Sequence, residues 1–178
     1  TSNGDLSGLE VETAGDNRRA FILKDQITAY LNDSKGTYSY ILVDCPPSLS
    51  LLTIMALVAS DALLVPLQTE FFALEGVTQL MKTIERIKNN LNPKLSIRGI
   101  LLTMYDNEIF SHQQVCKQIY QTLGNSVFET IIPNCPHILE ASNLGIDVIQ
   151  RHLNSSGATG YIRLANELLD RFLLNKSK

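Results

Sequence analysis

The apolar run Tyr40-Ile41-Leu42-Val43 ends in an acid, a cysteine and two prolines, Asp44-Cys45-Pro46-Pro47. A short apolar run closed by a breaker has the character of a strand buried on both faces of a parallel sheet. Neither proline can donate a ladder hydrogen bond, so the strand is expected to stop at or just after Asp44. Its carboxylate then lies at the carboxyl end of a buried strand, where open α/β sheets bind their ligands. An acid so placed can help hold Mg²⁺ beside phosphates. The same residue can instead cap the helix that follows the prolines, and the stretch by itself leaves both roles open.

Other reactive constellations are few. Cys45, Cys116 and Cys135 are widely spaced and form no Cys-x-x-Cys pair. That argues for a reducing cytosol and against a disulfide framework or a zinc site. His112, His137 and His152 are scattered along the chain and are expected as surface or satisfied histidines rather than metal ligands. No Gly-x-x-x-x-Gly-Lys-[Ser/Thr] occurs, and no glycine-rich loop replaces it. Such a loop supplies the backbone N–H groups and the lysine that cradle phosphates.

The elements that must position these residues follow from periodicity. Leu6, Leu9 and Val11 suggest a short helix capped by Asp5. Residues 16–32 read as a helix with Leu23, Ile27 and Leu31 on one face. Residues 48–60 are apolar nearly all round, as in a well-buried helix. Strands are expected at 61–66, 97–104 and 127–132. A long helix carries Leu74, Val77, Leu80, Met81, Ile84, Ile87 and Leu91 on one stripe, with Lys82, Glu85, Arg86 and Lys88 off it. Further helices are expected at 111–124, 138–144 and 159–174, the first stopped by Gly124 and the second by Gly145. Strands thus alternate with helices, through connections too long for hairpins. The expected class is α/β, a mostly parallel sheet with helices on both faces, in a single domain over residues 1–178.

At 178 residues the chain suits one domain with a sizeable core. Hydrophobic residues at 44% and charged residues at 19% are those of an ordinary globular protein. A net charge of −3 supplies no global attraction to nucleic acid, so DNA contact needs a local basic patch. No apolar run approaches the roughly 20 residues of a membrane span. The opening Thr-Ser-Asn-Gly-Asp is no signal peptide, and the expected location is the cytoplasm.

Residues 40–57, Tyr-Ile-Leu-Val-Asp-Cys-Pro-Pro-Ser-Leu-Ser-Leu-Leu-Thr-Ile-Met-Ala-Leu, are followed by Ala59-Ser-Asp-Ala-Leu-Leu-Val-Pro-Leu-Gln and Glu70-Phe-Phe-Ala-Leu-Glu-Gly. Together they resemble the ParA/Soj chromosome- and plasmid-partition ATPases. Gly99-Ile-Leu-Leu-Thr-Met-Tyr-Asp, Ile131-Ile-Pro, the turn at Ser156-Gly-Ala and the opening Asn3-Gly-Asp-Leu-Ser-Gly-Leu-Glu fall in that family's order. The resemblance implies a P-loop NTPase-like fold and a sandwich dimer around ATP and Mg²⁺. It also implies non-specific DNA binding by the ATP-bound homodimer, hydrolysis stimulated by a ParB-type partner, and no membrane. Asp44 then corresponds to the catalytic acid that orients the magnesium shell, and residues 45–50 to the segment that senses the γ-phosphate. Thr103, Met104, Pro133 and Asn134 fall where the family holds adenine, although Pro133 reads equally as a strand terminator.

Two departures qualify this resemblance. The family's phosphate loop lies upstream of everything seen here, so the chain resembles the carboxy-terminal two-thirds of the domain, incomplete at its amino end. As it stands it is expected neither to bind ATP nor to hydrolyse it; ATP and Mg²⁺ are expected in the complete protein. The family's usual arginines are also missing near Glu108, Asn134, His137, Asn154 and Ser156. Each lost phosphate contact weakens DNA binding and flattens its salt dependence. Lys82, Arg86, Lys88, Lys94 and Arg98 form an alternative patch, with a solvated face as the simpler explanation. Two other functions compete: a MinD-like ATPase that positions cell division, and a nucleotide-free remnant or regulatory interaction module.

Overall fold

Alternation of apolar side chains divides the sheet residues between two faces, as the strand period of two requires. In β1 (Ala62–Gln68), Leu63, Val65 and Leu67 pack on one face and Leu64 on the other. β2 (Ser96–Tyr105) divides the same way, Ile100 and Leu102 against Leu101, and β3 (Val127–Pro133) sets Val127 and Ile131 against Phe128 and Ile132. The computed structural model describes Gly8, residues 12–13, 15–33, 38–46 and 48–174. The short helix expected around Leu6, Leu9 and Val11 lies outside these residues. The strand order is β1-β2-β3, with β2 and β3 parallel. Pro66, which cannot donate to a ladder, lies in β1 at the sheet's edge.

Helices cover both faces, as expected. On the first, α3 (Ala73–Asn90) packs Ala73 and Val77, and α4 (Phe110–Leu123) packs Val115, Cys116 and Ile119. On the second, α5 (Pro136–Asn143) contributes Ile138 and α7 (Ser156–Leu174) contributes Leu164 and Leu168. A one-turn helix that sequence periodicity did not reveal, α6 (Val148–Arg151), lies between them, capped by Asp147 Oδ1 accepting from Gln150 N at 2.9 Å. A Cβ on Gly157 would fall 2.7 Å from Ile138 Cγ1, so a larger residue there would push α7 away from α5.

The described residues divide into two compact units, one drawn from Thr1–Ala62 with Lys82–Ser96, the other from Leu63–Met81 with Ile97–Lys178. In the first, α1 (Ile22–Asp33) turns its half-buried Leu23, Ile27 and Leu31 stripe inward and packs against α2 (Leu51–Ala59). Helix α2 buries Met55, Ala56, Leu57 and Val58, and its C-terminal carbonyls need partners. The buried Asn92 provides them, its Nδ2 donating to Leu57 O at 2.9 Å and Ser60 O at 2.7 Å.

Residues 40–43 correct the expectation of a buried strand. They form no strand; Leu42 is 89% exposed, and Tyr40, Ile41 and Val43 are exposed as well. Apolar character only makes an extended segment available for pairing. The sheet among the described residues holds three strands, and none of them forms a ladder with this segment.

The β2–β3 ladder carries a bulge that the chain repairs. Ile100 pairs with Val127 and Leu102 with Ile131, so β3 uses four residues where β2 uses two. The N–H groups of Glu129 and Thr130 donate instead to the two carboxylate oxygens of Glu167 on α7, each at 2.9 Å. Arg171 Nη2 donates to the same carboxylate at 2.9 Å. Burial pushes the Glu167 carboxyl up, but these donors outweigh it and hold it below the usual glutamate range. Glu167→Ala strips both amides of their acceptor and should cost about 2 kcal/mol in urea unfolding at neutral pH. A carboxyl lowered in the folded state stabilises fully above its unfolded pKa, and that stability is lost as pH falls through the folded value. The gap between wild type and variant should therefore narrow below the ordinary glutamate range; a constant gap across acid pH would contradict the assignment.

Candidate functional site

A second irregularity ends the same ladder. Leu102 pairs with Ile131 and Tyr105 with Pro133, so β2 here holds one residue more than β3. Met104 takes up the excess with φ at 55°, a left-handed conformation uncommon for a residue with a Cβ. Bulges re-aim side chains and are over-represented beside active sites. Met104 is 49% exposed at the carboxyl end of β2, while Thr103 is half-buried beside it. Asn134 N donates to Tyr105 O at 2.8 Å, which extends the contact one residue beyond Pro133. Thr103 and Met104 thus meet Pro133 and Asn134 at the carboxyl ends of two parallel strands. The loop beyond β2 is pinned: Asp106 N donates to His112 Nδ1 at 3.1 Å, and Glu108 N to Asp106 Oδ1 at 2.9 Å.

Asp44 belongs to the other unit, in an exposed segment outside any helix or strand. It does not cap α2. That role falls to Ser50, whose Oγ accepts from Thr53 N at 3.5 Å, while Thr53 Oγ1 donates to Ser48 O at 2.7 Å.

Sequence patterns missed two further groups. Thr69, just past the end of β1, is 1% exposed, and its Oγ1 has no hydrogen-bond partner. A buried orphan hydroxyl at the carboxyl end of a strand is a candidate ligand-facing group, and no spacing rule marks it. The second lies after β3, where His137 and His152, expected as scattered histidines, meet with ring centroids 4.4 Å apart and their planes tilted by 57°. Cys135 Sγ lies 3.7 Å from His137 Nδ1. Burial would raise the Cys135 thiol. Hydrogen bonds with Ser156, the His137 ring and the N–H groups of Gly157 and His137 bring it down to about 6.

Of the basic residues in the alternative patch, all but one fit a solvated face. Lys82, Arg86, Lys88 and Lys94 are exposed. Arg98 is half-buried: its guanidinium lies 4.4 Å over the Phe172 ring, and Nη1 donates to Arg171 O at 3.2 Å. It therefore leaves the solvated set. Among the described residues no helix is long and apolar enough to cross a membrane.

The model of the AAA domain family matches residues 1–97. The chromosome partitioning protein ParA of Caulobacter vibrioides is 44% identical over 170 residues, covering 96% of this chain and 63% of that protein. The chromosome-partitioning ATPase Soj of Treponema pallidum is 42% identical over 167 residues, covering 94% of this chain and 64% of its own length. The chain thus spans a little under two thirds of these curated relatives. Cobyrinic acid a,c-diamide synthase from Mycobacterium smegmatis, solved with a bound ATP analogue and magnesium, superimposes with a TM-score of 0.77 at 29% identity, over 96% of this chain and 62% of that one. With the family model matched over more than half its length, the chain belongs to the AAA-domain family, and chromosome-partitioning ParA and Soj proteins are homologues along nearly all of it.

Proposed function

We propose that this chain forms the base-holding and magnesium-orienting part of an ATPase that partitions chromosomal or plasmid DNA. The observation that carries this is the bulge at Met104, a left-handed residue beside Pro133 and Asn134 where a parallel sheet offers its ligand edge. Adenine is flat, with apolar faces and a polar rim. It suits an exposed methionine and a proline, with the backbone of residues 103–105 and 133–134 reading its polar rim. Thr69 Oγ1 is a free polar atom at the same end of the sheet. Asp44 orients the magnesium shell, and residues 45–50 respond to the γ-phosphate.

The residues present fit the base and the acid but not the triphosphate, because residues 1–178 contain no phosphate loop. When bound, Mg²⁺ neutralises charge on the phosphates, and this chain's part is to hold and orient. The complete protein works as a homodimer with a ParB-type partner. Its DNA affinity is expected to be weak, with a shallow salt dependence, since Glu108, Asn154 and Ser156 bring no positive charge where the family carries arginines.

The test joins the phosphate-loop segment of the Caulobacter relative to the amino end of this chain. The joined protein should bind ATP saturably and hydrolyse it, and DNA together with a ParB-type partner should speed turnover. The 178-residue chain alone should bind no ATP above background. Saturable micromolar binding by the chain alone, or none by a folded joined protein, would overturn the assignment.

A further inference from the structure

We propose that His137, Glu140 and His152 form a binding site for a zinc ion that ties α5 to the end of α6. One donor atom from each residue lies within 4.8 Å of the other two. His137 and Glu140 stand at i and i+3 on α5 and share a helical face. His152 comes from the C-cap of α6, where its N–H donates to Val148 O at 2.8 Å and fixes its backbone. Packing of Ala141, Val148 and Ala158, with Ile138 against them, holds the two helices that carry the donors.

His152 Nε2 is buried and has no aligned hydrogen-bond partner, although Glu140 Oε2 lies 3.1 Å away. A buried ring nitrogen aimed at a carboxylate without a hydrogen bond is poised for a third body between them. The second imidazole, tilted against the first with centroids 4.4 Å apart, adds a further nitrogen. Cys135 Sγ sits 3.7 Å from His137 Nδ1, which leaves Nε2 as the ligating atom and gives that ring an outer partner. Two imidazoles and one carboxylate are a zinc donor set; hard cations such as Mg²⁺ and Ca²⁺ prefer oxygen alone. Zn–N bonds of about 2.0–2.1 Å require the donors to draw together by roughly an ångström, within the reach of two exposed side chains on α5. Water completes the tetrahedron. Arg151 Nη2 competes for the other carboxylate oxygen at 3.7 Å, but this is an exposed pair of little worth. The simpler alternative is a tilted histidine pair with one carboxylate contact, and it predicts no zinc affinity.

The full chain is titrated with zinc chloride by calorimetry and, separately, with Co²⁺ to read visible d–d absorption. One ion per chain is expected, at micromolar affinity or tighter, with a tetrahedral cobalt spectrum. His152→Ala and His137→Gln should each weaken binding at least tenfold and remove the zinc-dependent rise in melting temperature. His112→Ala and Cys45→Ser should change neither. His137 is exposed, so His137→Gln keeps the test valid if His152→Ala does not fold. Absence of saturable zinc binding, or binding that survives both substitutions, would overturn the proposal.

Discussion

Asp44→Ala, made in the joined protein that carries the phosphate loop, is expected to lower ATP turnover by about 10² or more, the usual scale for removing a charge that acts on the transition state. The same change should barely move the melting temperature. Asp44 is exposed, Ser50 already caps α2, and surface substitutions away from special features stay within about 0.5 kcal/mol. Asp44→Asn keeps the shape and removes the charge, so it should be nearly as slow. Raising Mg²⁺ should restore part of the rate if the acid acts through the metal shell. Near-normal turnover in either variant, with folding intact, would remove Asp44 from the catalytic apparatus.

Phe128→Ala should be the most damaging single truncation in the second unit, at about 4 kcal/mol. Phe128 is 0% exposed, packs with Leu101 and Ile132, and carries the Arg171 guanidinium 4.1 Å above its ring. Gly99 on β2 leaves the space into which that ring fits: a Cβ there would lie 2.4 Å from Phe128 Cε2. Loss of the ring empties a volume that glycine cannot refill. Conversely, Gly99→Ala in the wild-type background overpacks the site and should cost about 1–3 kcal/mol. In the Phe128→Ala background the same methyl should cost less, since only the contact with Arg171 Nη1 at 2.9 Å remains, a coupling visible in a double-mutant cycle of urea unfolding. Additive losses would mean that the ring and the glycine are not complementary.

Sequence by itself determined the class and most of the elements. Periodicity is a local property, and it placed the stripes of α1 and α3, whereas on α7 Leu164 and Leu168 turn inward but Tyr161 and Leu169 stay exposed. Leu23, Ile27 and Leu31 face inward on α1; Val77, Ile84 and Ile87 are buried on α3, and Lys82, Glu85, Arg86 and Lys88 are exposed. The strands expected at 97–104 and 127–132 lie at Ser96–Tyr105 and Val127–Pro133. Alternation decides which side chains can be buried together wherever the strand ends up. The block of residues 40–57 likewise carried the family, because it combines an acid, two prolines and an apolar helix in one order.

What only the tertiary structure decided depends on partners distant in the chain. Apolar residues 40–43 look like a strand, but a strand needs a ladder. The Met104 bulge exists because β2 and β3 reach their shared end with unequal counts, which neither segment encodes alone. Glu167 looks like a solvated helix residue until α7 lies against the bulged amides of β3. Arg98 looks like a surface cation, yet its stem and guanidinium are drawn against Phe172 and the end of α7. His137 and His152 share no motif spacing, and they meet because α5 and α6 pack through Ala141 and Val148. In each case the side chain's role is set by the groups that packing brings against it, and contacts between residues distant in the chain decide that.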